Sequence, residues 1–257
     1  MFRNLFFAAV LAALCAGLVL AALQYTRITP LILHAETFEG EGGHSHGAAV
    51  VEEAHEHPEG TPAHSHDAPA ATEHAHAADE WAPQDGFERT AYTTLATVLA
   101  AAGFALIIGA VSMLAAIPIT FANGFLWGMA GFVAFTLAPA FGLPPELPGM
   151  PAGDLFARQL WWAGTVLATG GALLLLAKTR ASWAFAVAIA LVVAPHIIGA
   201  PAAPDEPSAV PAHLATEFAA VTIGSALVFW LLLGTLFGKF HDVFATRSAA
   251  IPQGATA

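Results

Sequence analysis

Six long runs of apolar residues limit, more than any other feature, the folds that this chain can adopt. The hydrocarbon core of a bilayer is about 30 Å thick, so a helix needs roughly 20 apolar residues to cross it. By that length criterion the candidate membrane helices are Leu5–Leu23, Tyr92–Ile117, Ile119–Phe141, Leu160–Ala177, Trp183–Gly199 and Phe218–Phe237. None of them holds an Asp, Glu, Lys or Arg, and only 11% of the 257 residues are charged. We therefore predict an all-α, polytopic membrane helix bundle of about six transmembrane helices.

The intervals between these runs divide the chain into segments. We predict a first transmembrane helix in 1–25, a long loop in 26–90, a helical hairpin in 91–142, a Pro-rich loop in 143–159, two spans in 160–200, a loop in 201–216, a last span in 217–238 and a tail in 239–257. The alternative for the first run is a signal peptide that is cleaved near Ala21 and Ala22. Its apolar stretch is longer than the roughly 7–15 residues of a signal peptide, so we expect it to remain as a span.

The positions of the basic residues predict the orientation, because Lys and Arg near span ends are enriched on the cytoplasmic side. With the N-terminus inside, five basic residues are cytoplasmic (Arg3, Lys178, Arg180, Lys239 and Arg247) and three are outside (Arg27, Arg89 and Arg158). Both termini are then cytoplasmic, and all the acidic residues except Asp242 face outward. The outer surface would attract cations.

Small residues predict close contacts between the spans. Gly124 and Gly128 stand four residues apart in the third span, and Gly170 and Gly171 lie in the middle of the fourth. Such residues let helix backbones approach each other in lipid, although glycine is also simply common in membrane helices. Pro118 leaves almost no loop between the second and third spans, which indicates an antiparallel hairpin.

The segment between Thr26 and Glu88 differs in composition from the rest of the chain. It is rich in Ala, Glu, Gly, Pro and His, and such a composition buries too little apolar surface to fold alone. We therefore expect a largely disordered loop on the extracytoplasmic side. Eight of the twelve histidines of the chain stand in it as four His-x-His pairs: His44 and His46, His55 and His57, His64 and His66, His74 and His76.

The paired spacing indicates that this loop binds metal. Imidazole is a common ligand of cobalt, nickel, zinc and copper, and two pairs can complete a four-coordinate shell. Since the unperturbed pKa of imidazole is about 6.5, bound metal would be released as the pH falls. The alternative is an acidic, solvated linker whose histidines have no role. Flexible histidine pairs select poorly among metals, so the loop would collect ions without choosing one.

A second set of candidate ligands lies where the predicted helices leave the membrane on the outer side. A histidine near the end of a membrane helix is costly if it has no function, which draws attention to His196; its alternative role is a hydrogen-bonded interfacial residue. Glu217 opens the last span, where a carboxylate is also favoured by the helix dipole. The full set is His34, Glu36, Glu146, His196, His213 and Glu217.

Several functions are disfavoured by what the sequence holds. The eight basic residues form no patch, which argues against nucleic acid as a partner. We find no nucleophile–base pair and no helical zinc motif, so we expect no enzyme and no prosthetic group. The predicted spans also lack an ionisable side chain at mid-membrane, which ion-coupled transporters commonly have.

Four short motifs resemble the CbtA family of predicted cobalt transporters. They are Thr29 to Glu36 (TPLILHAE), Ala138 to Gly149 (APAFGLPPELPG), Arg158 to Trp162 (RQLWW) and Ala194 to Pro201 (APHIIGAP). The resemblance implies an inner-membrane protein of bacteria for cobalt uptake, with a small single-span partner, CbtB. It also implies roles for the polar residues at Glu36, Glu146, Arg158 and His196. The family is often drawn with five spans, whereas a sixth here depends on keeping the first run.

Together these observations predict a transporter, or transporter subunit, for cobalt(II) or a similar divalent metal, with nickel, zinc and copper as other candidates. The His-x-His loop would capture the ion on the periplasmic side and pass it to the residues at the membrane edge. The alternative is a membrane-anchored periplasmic buffer or sensor that binds metal and transports nothing.

Overall fold

The computed structural model describes residues 2–42, 83–84 and 86–250, and within them it contains helices and no strand. The apolar runs form these helices because, in lipid, a helix satisfies all of its own backbone hydrogen bonds. The helices are α1 (Phe2–Leu23), α2 (Thr29–Gly42), α3 (Phe87–Ala115), α4 (Phe121–Phe132), α5 (Ala138–Ala140), α6 (Leu155–Lys178), α7 (Ser182–Ile198) and α8 (Ala212–Ala250). A π turn joins α1 to α2 at Gln24–Ile28, and another joins α4 to α5 at Val133–Leu137.

Among the described residues, five helical stretches are long and apolar enough to cross a membrane, and α7 is a shorter apolar helix. The five are Arg3–Phe38, Phe87–Ala115, Phe121–Ala140, Leu155–Lys178 and Ala212–Arg247. The 17 residues of α7 rise about 25 Å, slightly less than the roughly 30 Å of a hydrocarbon core. The predicted all-α membrane bundle is thus confirmed, as five candidate spans and a shorter sixth helix.

The first helical stretch continues far beyond the apolar run that predicted it. The run ends at Leu23, yet the helix continues through the π turn as far as Gly42, the last residue described before the gap. Residues 26–42, which we assigned to the long loop, are therefore helical. Its continuation is amphipathic: Ile28 and Ala35 are buried while His34 is exposed. An apolar run predicts only the part of a helix that lies in lipid. The helix continues beyond that part because other elements of the protein pack against one of its faces.

The helices are arranged around α1 and α8. The central helix α1 packs between α3 and α8, and α8 packs in turn against α4. Helices α6 and α7 form a pair that joins the others mainly through α5 and the second π turn. The tight connection at Pro118 does not make α3 and α4 a packed hairpin, because α4 makes its extensive contact with α8. Five alanines of α1 (Ala8, Ala9, Ala12, Ala13 and Ala16) are fully buried and allow this close packing.

Both ends of the described chain lie at the same end of the bundle, which we call the terminal end. Asn4 of α1 donates a hydrogen bond to the carbonyl of Phe244 in α8, at 3.3 Å. The Asp242 carboxylate accepts a hydrogen bond from the backbone N–H of Phe121, at 2.8 Å. A carboxylate at this place satisfies one of the free N–H groups of the α4 N-terminus and the helix dipole favours its charge.

The opposite end of the bundle, which we call the loop end, has its own apolar cluster. Ala35 of α2, Leu147 of the α5–α6 connection and Leu214 of α8 are among its buried members. Because residues of three separate elements are packed together here, the predicted ligands on these elements are held at one end of the molecule.

Four glycines bring the backbones of α4 and α8 into direct contact. A methyl group added to Gly124 would lie 2.5 Å from the carbonyl oxygen of Gly234. Methyl groups on Gly128, Gly234 or Gly238 would likewise overlap backbone atoms of the facing helix. The Gly124–Gly128 spacing therefore does mark a helix contact, and α8 supplies a matching pair. By contrast, Gly170 and Gly171 have no neighbouring atom within 4 Å of such a methyl group.

Candidate functional site

The four His-x-His pairs, from His44 to His76, fall outside the residues that the structure describes. Their metal-binding role therefore stays a prediction from their spacing. The helices on either side of the segment do have defined positions. Glu36 of α2 and Arg89 of α3 form an ion pair at 2.9 Å, so the two helices between which the segment runs are joined at the loop end.

This ion pair is partly exposed and makes a small energetic contribution. The exposed fractions of the two side chains are 37% for Arg89 and 36% for Glu36, so water screens the attraction and the pair contributes about 0–1 kcal/mol. Its neighbour His34 is exposed and packs its ring against Phe38, with 5.4 Å between the centroids. An ion arriving from solvent would thus meet His34 without any rearrangement.

A second ion pair links Glu146 to Arg158 and is more deeply buried. The α5–α6 connection ends at Asp154, whose carboxylate caps α6 by accepting from the N–H of Ala157 at 2.8 Å. Arg158 follows within the first turn, and its guanidinium donates to the Glu146 carboxylate at 2.6 Å. The two side chains are only 24% and 22% exposed. The arginine therefore neutralises Glu146 and holds the Pro-rich connection on α6.

Replacing Arg158 by glutamine is expected to destabilise the protein by about 1.5–3 kcal/mol, because a half-buried carboxylate loses its charged hydrogen-bond donor. The change would be measured as a lower melting temperature of the purified protein in detergent. The matched control is Arg89→Gln, whose exposed pair should contribute less than about 1 kcal/mol. Equal melting temperatures of the wild-type protein and Arg158→Gln would show that the Glu146–Arg158 ion pair does not stabilise the fold.

His196 lies in the last turn of α7, between two aromatic side chains. Its ring centroid is 5.7 Å from that of Trp161 and 6.2 Å from that of Phe141. The indole N–H of Trp161 donates to the carbonyl of Pro195 at 3.1 Å, which fixes α6 against α7 at this level. The imidazole is half-buried. The imidazole thus has aromatic side chains on two sides, and its position relative to the membrane stays a prediction.

His196 lines a cavity of about 750 Å³, which we call the loop-end crevice. The crevice runs between the second π turn, α5, α6 and α7, and its lining includes Val133, Leu137, Phe141, Trp161, Thr169 and His196. Thr169 is 1% exposed, and its hydroxyl has no hydrogen-bond partner within the described residues. A buried hydroxyl without a partner is costly, so water or a ligand in the crevice would stabilise it.

The two remaining predicted ligands lie at the start of α8. His213 and Glu217 are exposed and stand four residues apart, on one face of the helix. Neither lines the crevice. Across the described ranges, no three His, Cys, Asp or Glu side chains converge closely enough to hold an ion, so the six membrane-edge candidates share the loop end without forming one coordination shell.

The sequence reasoning missed two parts of this arrangement. It did not single out Thr169, although Trp161, Thr165, Thr169 and Leu173 follow each other at four-residue steps and thus share a face of α6. It also did not predict the π turn at Val133–Leu137, which contributes to the crevice wall. Such turns are frequent at functional sites, but no residue pattern in this segment predicts one.

Comparison with known proteins gives a match to a family model. A family model described as "Probable cobalt transporter subunit (CbtA)" matches residues 2–242 of the 257. No curated protein and no solved structure matches the chain.

Proposed function

The chain belongs to the CbtA family of probable cobalt transporter subunits, and from this we propose that it carries cobalt(II), or a similar divalent metal, across the inner membrane of a bacterium. The observation that carries the proposal is the family match over nearly the whole chain. The loop-end crevice supports the proposal, because its lining includes an imidazole and a buried hydroxyl that has no hydrogen-bond partner within the described part of the chain.

In this proposal the loop end faces the periplasm, and the His-x-His pairs collect metal there. The excess of Lys and Arg near the other ends of the spans supports this orientation. Paired imidazoles suit divalent cobalt, nickel, zinc and copper alike. The eight loop histidines therefore raise the local concentration of metal, and selection among metals takes place elsewhere in the protein.

From the pairs, the ion passes to the accessible side chains of the loop end and then to His196. His34, His213 and Glu217 are exposed, and the four-residue spacing of the last two lets one ion bridge an imidazole and a carboxylate. Glu36 and Glu146 are already paired with arginines. They would join the ligands only where an arriving cation displaces the arginine, which is easier at the exposed Glu36 than at Glu146.

A second chain completes the transporter in this proposal. The word "subunit" in the family description supports an assembly, and the family resemblance suggests a small single-span partner of the CbtB kind.

Cobalt uptake tests the role of His196. In cells that express the protein, His196→Ala is expected to raise the cobalt concentration for half-maximal uptake about tenfold, which corresponds to about 1.4 kcal/mol for one lost ligand. The matched control is His241→Ala, which removes a histidine from the terminal end. If protein levels are equal and the half-maximal cobalt concentration of His196→Ala is unchanged, His196 does not bind the transported ion.

A further inference from the structure

A second cavity runs along α6 on the side of α3 and α4, and we call it the terminal-end groove. It has a volume of about 500 Å³ and is formed by α3, α4, the second π turn and α6. Every lining residue except Asn123 is apolar. The Asn123 amide is already hydrogen-bonded, since it donates to the carbonyl of Pro118 at 2.9 Å and accepts from the N–H of Thr120 at 2.8 Å. The groove therefore suits hydrocarbon and offers no charged group to an ion.

The groove is open on the side where a membrane span faces lipid. Leu126 of α4 and Leu167 of α6, which belong to its lining, are 66% and 75% exposed. On α6, Gly170 and Gly171 leave it unfilled, because no atom lies within 4 Å of where their side chains would begin. Hydrocarbon from the bilayer can therefore enter between the helices.

The length of the groove matches one leaflet of a bilayer. On α6 its lining runs from Val166, in the middle of the helix, to Ala177, near its end. This is a rise of roughly 17 Å, about half of the roughly 30 Å of a hydrocarbon core. A membrane-spanning helix of another chain would need the whole thickness. A single acyl chain, from the leaflet at the terminal end, matches the groove better.

Positive charge lies where the groove ends. Lys178 and Arg180 follow Ala177 directly, both are exposed, and neither has an ion-pair partner in the described part of the chain. Within the described residues, this end of the bundle holds one acidic residue, Asp242, and five basic ones: Arg3, Lys178, Arg180, Lys239 and Arg247. The apolar groove is thus continued by two cations that a phosphate group could neutralise.

We propose that the terminal-end groove binds an anionic glycerophospholipid, with one acyl chain between α3, α4 and α6 and the phosphate at Lys178 and Arg180. Lipid tails are as apolar as leucine side chains, so the acyl chain alone gives little preference for one lipid. The headgroup gives the selectivity, since basic residues beside membrane helices attract anionic lipids. The bound chain fills the gap between α4 and α6, which otherwise join mainly through the second π turn and α5. Such a lipid site goes beyond the proposed transport and does not depend on it.

Quenching of tryptophan fluorescence by brominated acyl chains tests the site, because Trp127 lines the groove. The full-length protein in detergent is titrated with phosphatidylglycerol, which is anionic, or with phosphatidylcholine, which has no net charge, both with dibrominated chains. The groove signal is the part of the quenching that Trp127→Phe loses. Phosphatidylglycerol should reach half of this signal at a concentration about tenfold lower than phosphatidylcholine, since two cations act on its headgroup.

A pair of glycine variants locates the acyl chain. Gly170→Leu places a side chain in the groove and should abolish the Trp127 quenching by both lipids. The matched control is Gly164→Leu: Gly164 is on the same helix, also has no atom within 4 Å of a new side chain, and lies outside the groove. This control should keep the signal of the wild-type protein.

A pair of double variants locates the headgroup. Lys178→Gln with Arg180→Gln should raise the half-maximal phosphatidylglycerol concentration about tenfold, to the value for phosphatidylcholine. The control is Lys239→Gln with Arg247→Gln, which removes two exposed cations from α8, a helix that does not line the groove. It should change the half-maximal concentration less than about twofold. If Gly170→Leu does not fold, these double variants decide alone.

Equal half-maximal concentrations of the two lipids in the wild-type protein would show ordinary boundary lipid and overturn the proposal. So would a loss of the preference that is the same in both double variants. A third contrary result is a change of molar mass in Gly170→Leu, measured by light scattering in detergent, together with equal binding of the two lipids. In that case the groove is occupied by a second copy or by a helix of another chain.

Discussion

Replacing Gly234 by leucine is expected to break the contact between α4 and α8 and to cost about 3 kcal/mol or more, the upper range for overpacking. At this glycine the two backbones touch: a methyl group on Gly124 would already lie 2.5 Å from the Gly234 carbonyl oxygen. A leucine must push the two helices apart, because their backbones are in direct contact at this position. The expected result is a large loss of folded, monodisperse protein, measured by size-exclusion chromatography in detergent and by melting temperature.

The matched control lies on the same helix. Gly224 of α8 has no atom within 4 Å of the place that a methyl group would take and is exposed, so Gly224→Leu should leave yield and melting temperature close to those of the wild-type protein. If both leucine variants behave alike, the α4–α8 contact is not held by close backbone approach.

Replacing all eight histidines of the His-x-His pairs by asparagine is expected to remove most of the metal that the purified protein binds. Asparagine keeps a polar side chain of moderate size but is a far weaker ligand than imidazole for these metals. At low external cobalt, uptake should fall at least about tenfold, since the local supply of metal is lost. At saturating cobalt it should equal that of wild-type protein. Titration calorimetry and uptake curves measure the two effects.

This variant also separates transport from metal buffering. A buffer or sensor would lose its function at every metal concentration, whereas a transporter keeps it at high concentration. Uptake that is unchanged at low cobalt would instead show that the pairs do not supply the ion. Binding by the wild-type loop should weaken as the pH falls through about 6.5, because protonated imidazole cannot ligate metal.

Much of the fold could be predicted because lipid leaves few choices. Runs of about 20 apolar residues can only be helices in a bilayer, and six of them are found as apolar helices. The extension to Gly42 could not be read from hydropathy, because Ile28 and Ala35 are buried by Leu147 and Leu214 from distant parts of the chain. In the same way, Gly124 and Gly128 predicted a helix contact without saying that α8 supplies the partner.

The sequence predicted which residues belong to the candidate site, but it did not predict how they are arranged in space. The Pro-flanked Glu146 and His196 stand out in the sequence, and both are at the loop end. Other contacts at the loop end join residues far apart in the sequence: Arg89 pairs with Glu36, 53 residues earlier, and Trp161 donates to the carbonyl of Pro195, 34 residues later. No local pattern encodes such pairings. The cavities depend on where α6 and α7 sit relative to α4, which no single segment specifies.

Accumulation of radioactive cobalt tests the central claim most directly, in cells of the organism that makes this protein, so that any partner chain is present. The strain that lacks the protein is compared with the same strain complemented by wild-type protein or by the eight-asparagine variant. At low cobalt the wild-type protein should restore accumulation severalfold above the deletion strain, and the variant should do so only when cobalt is raised. Equal accumulation with and without wild-type protein, at every cobalt concentration and with the protein present in the membrane, would contradict cobalt transport.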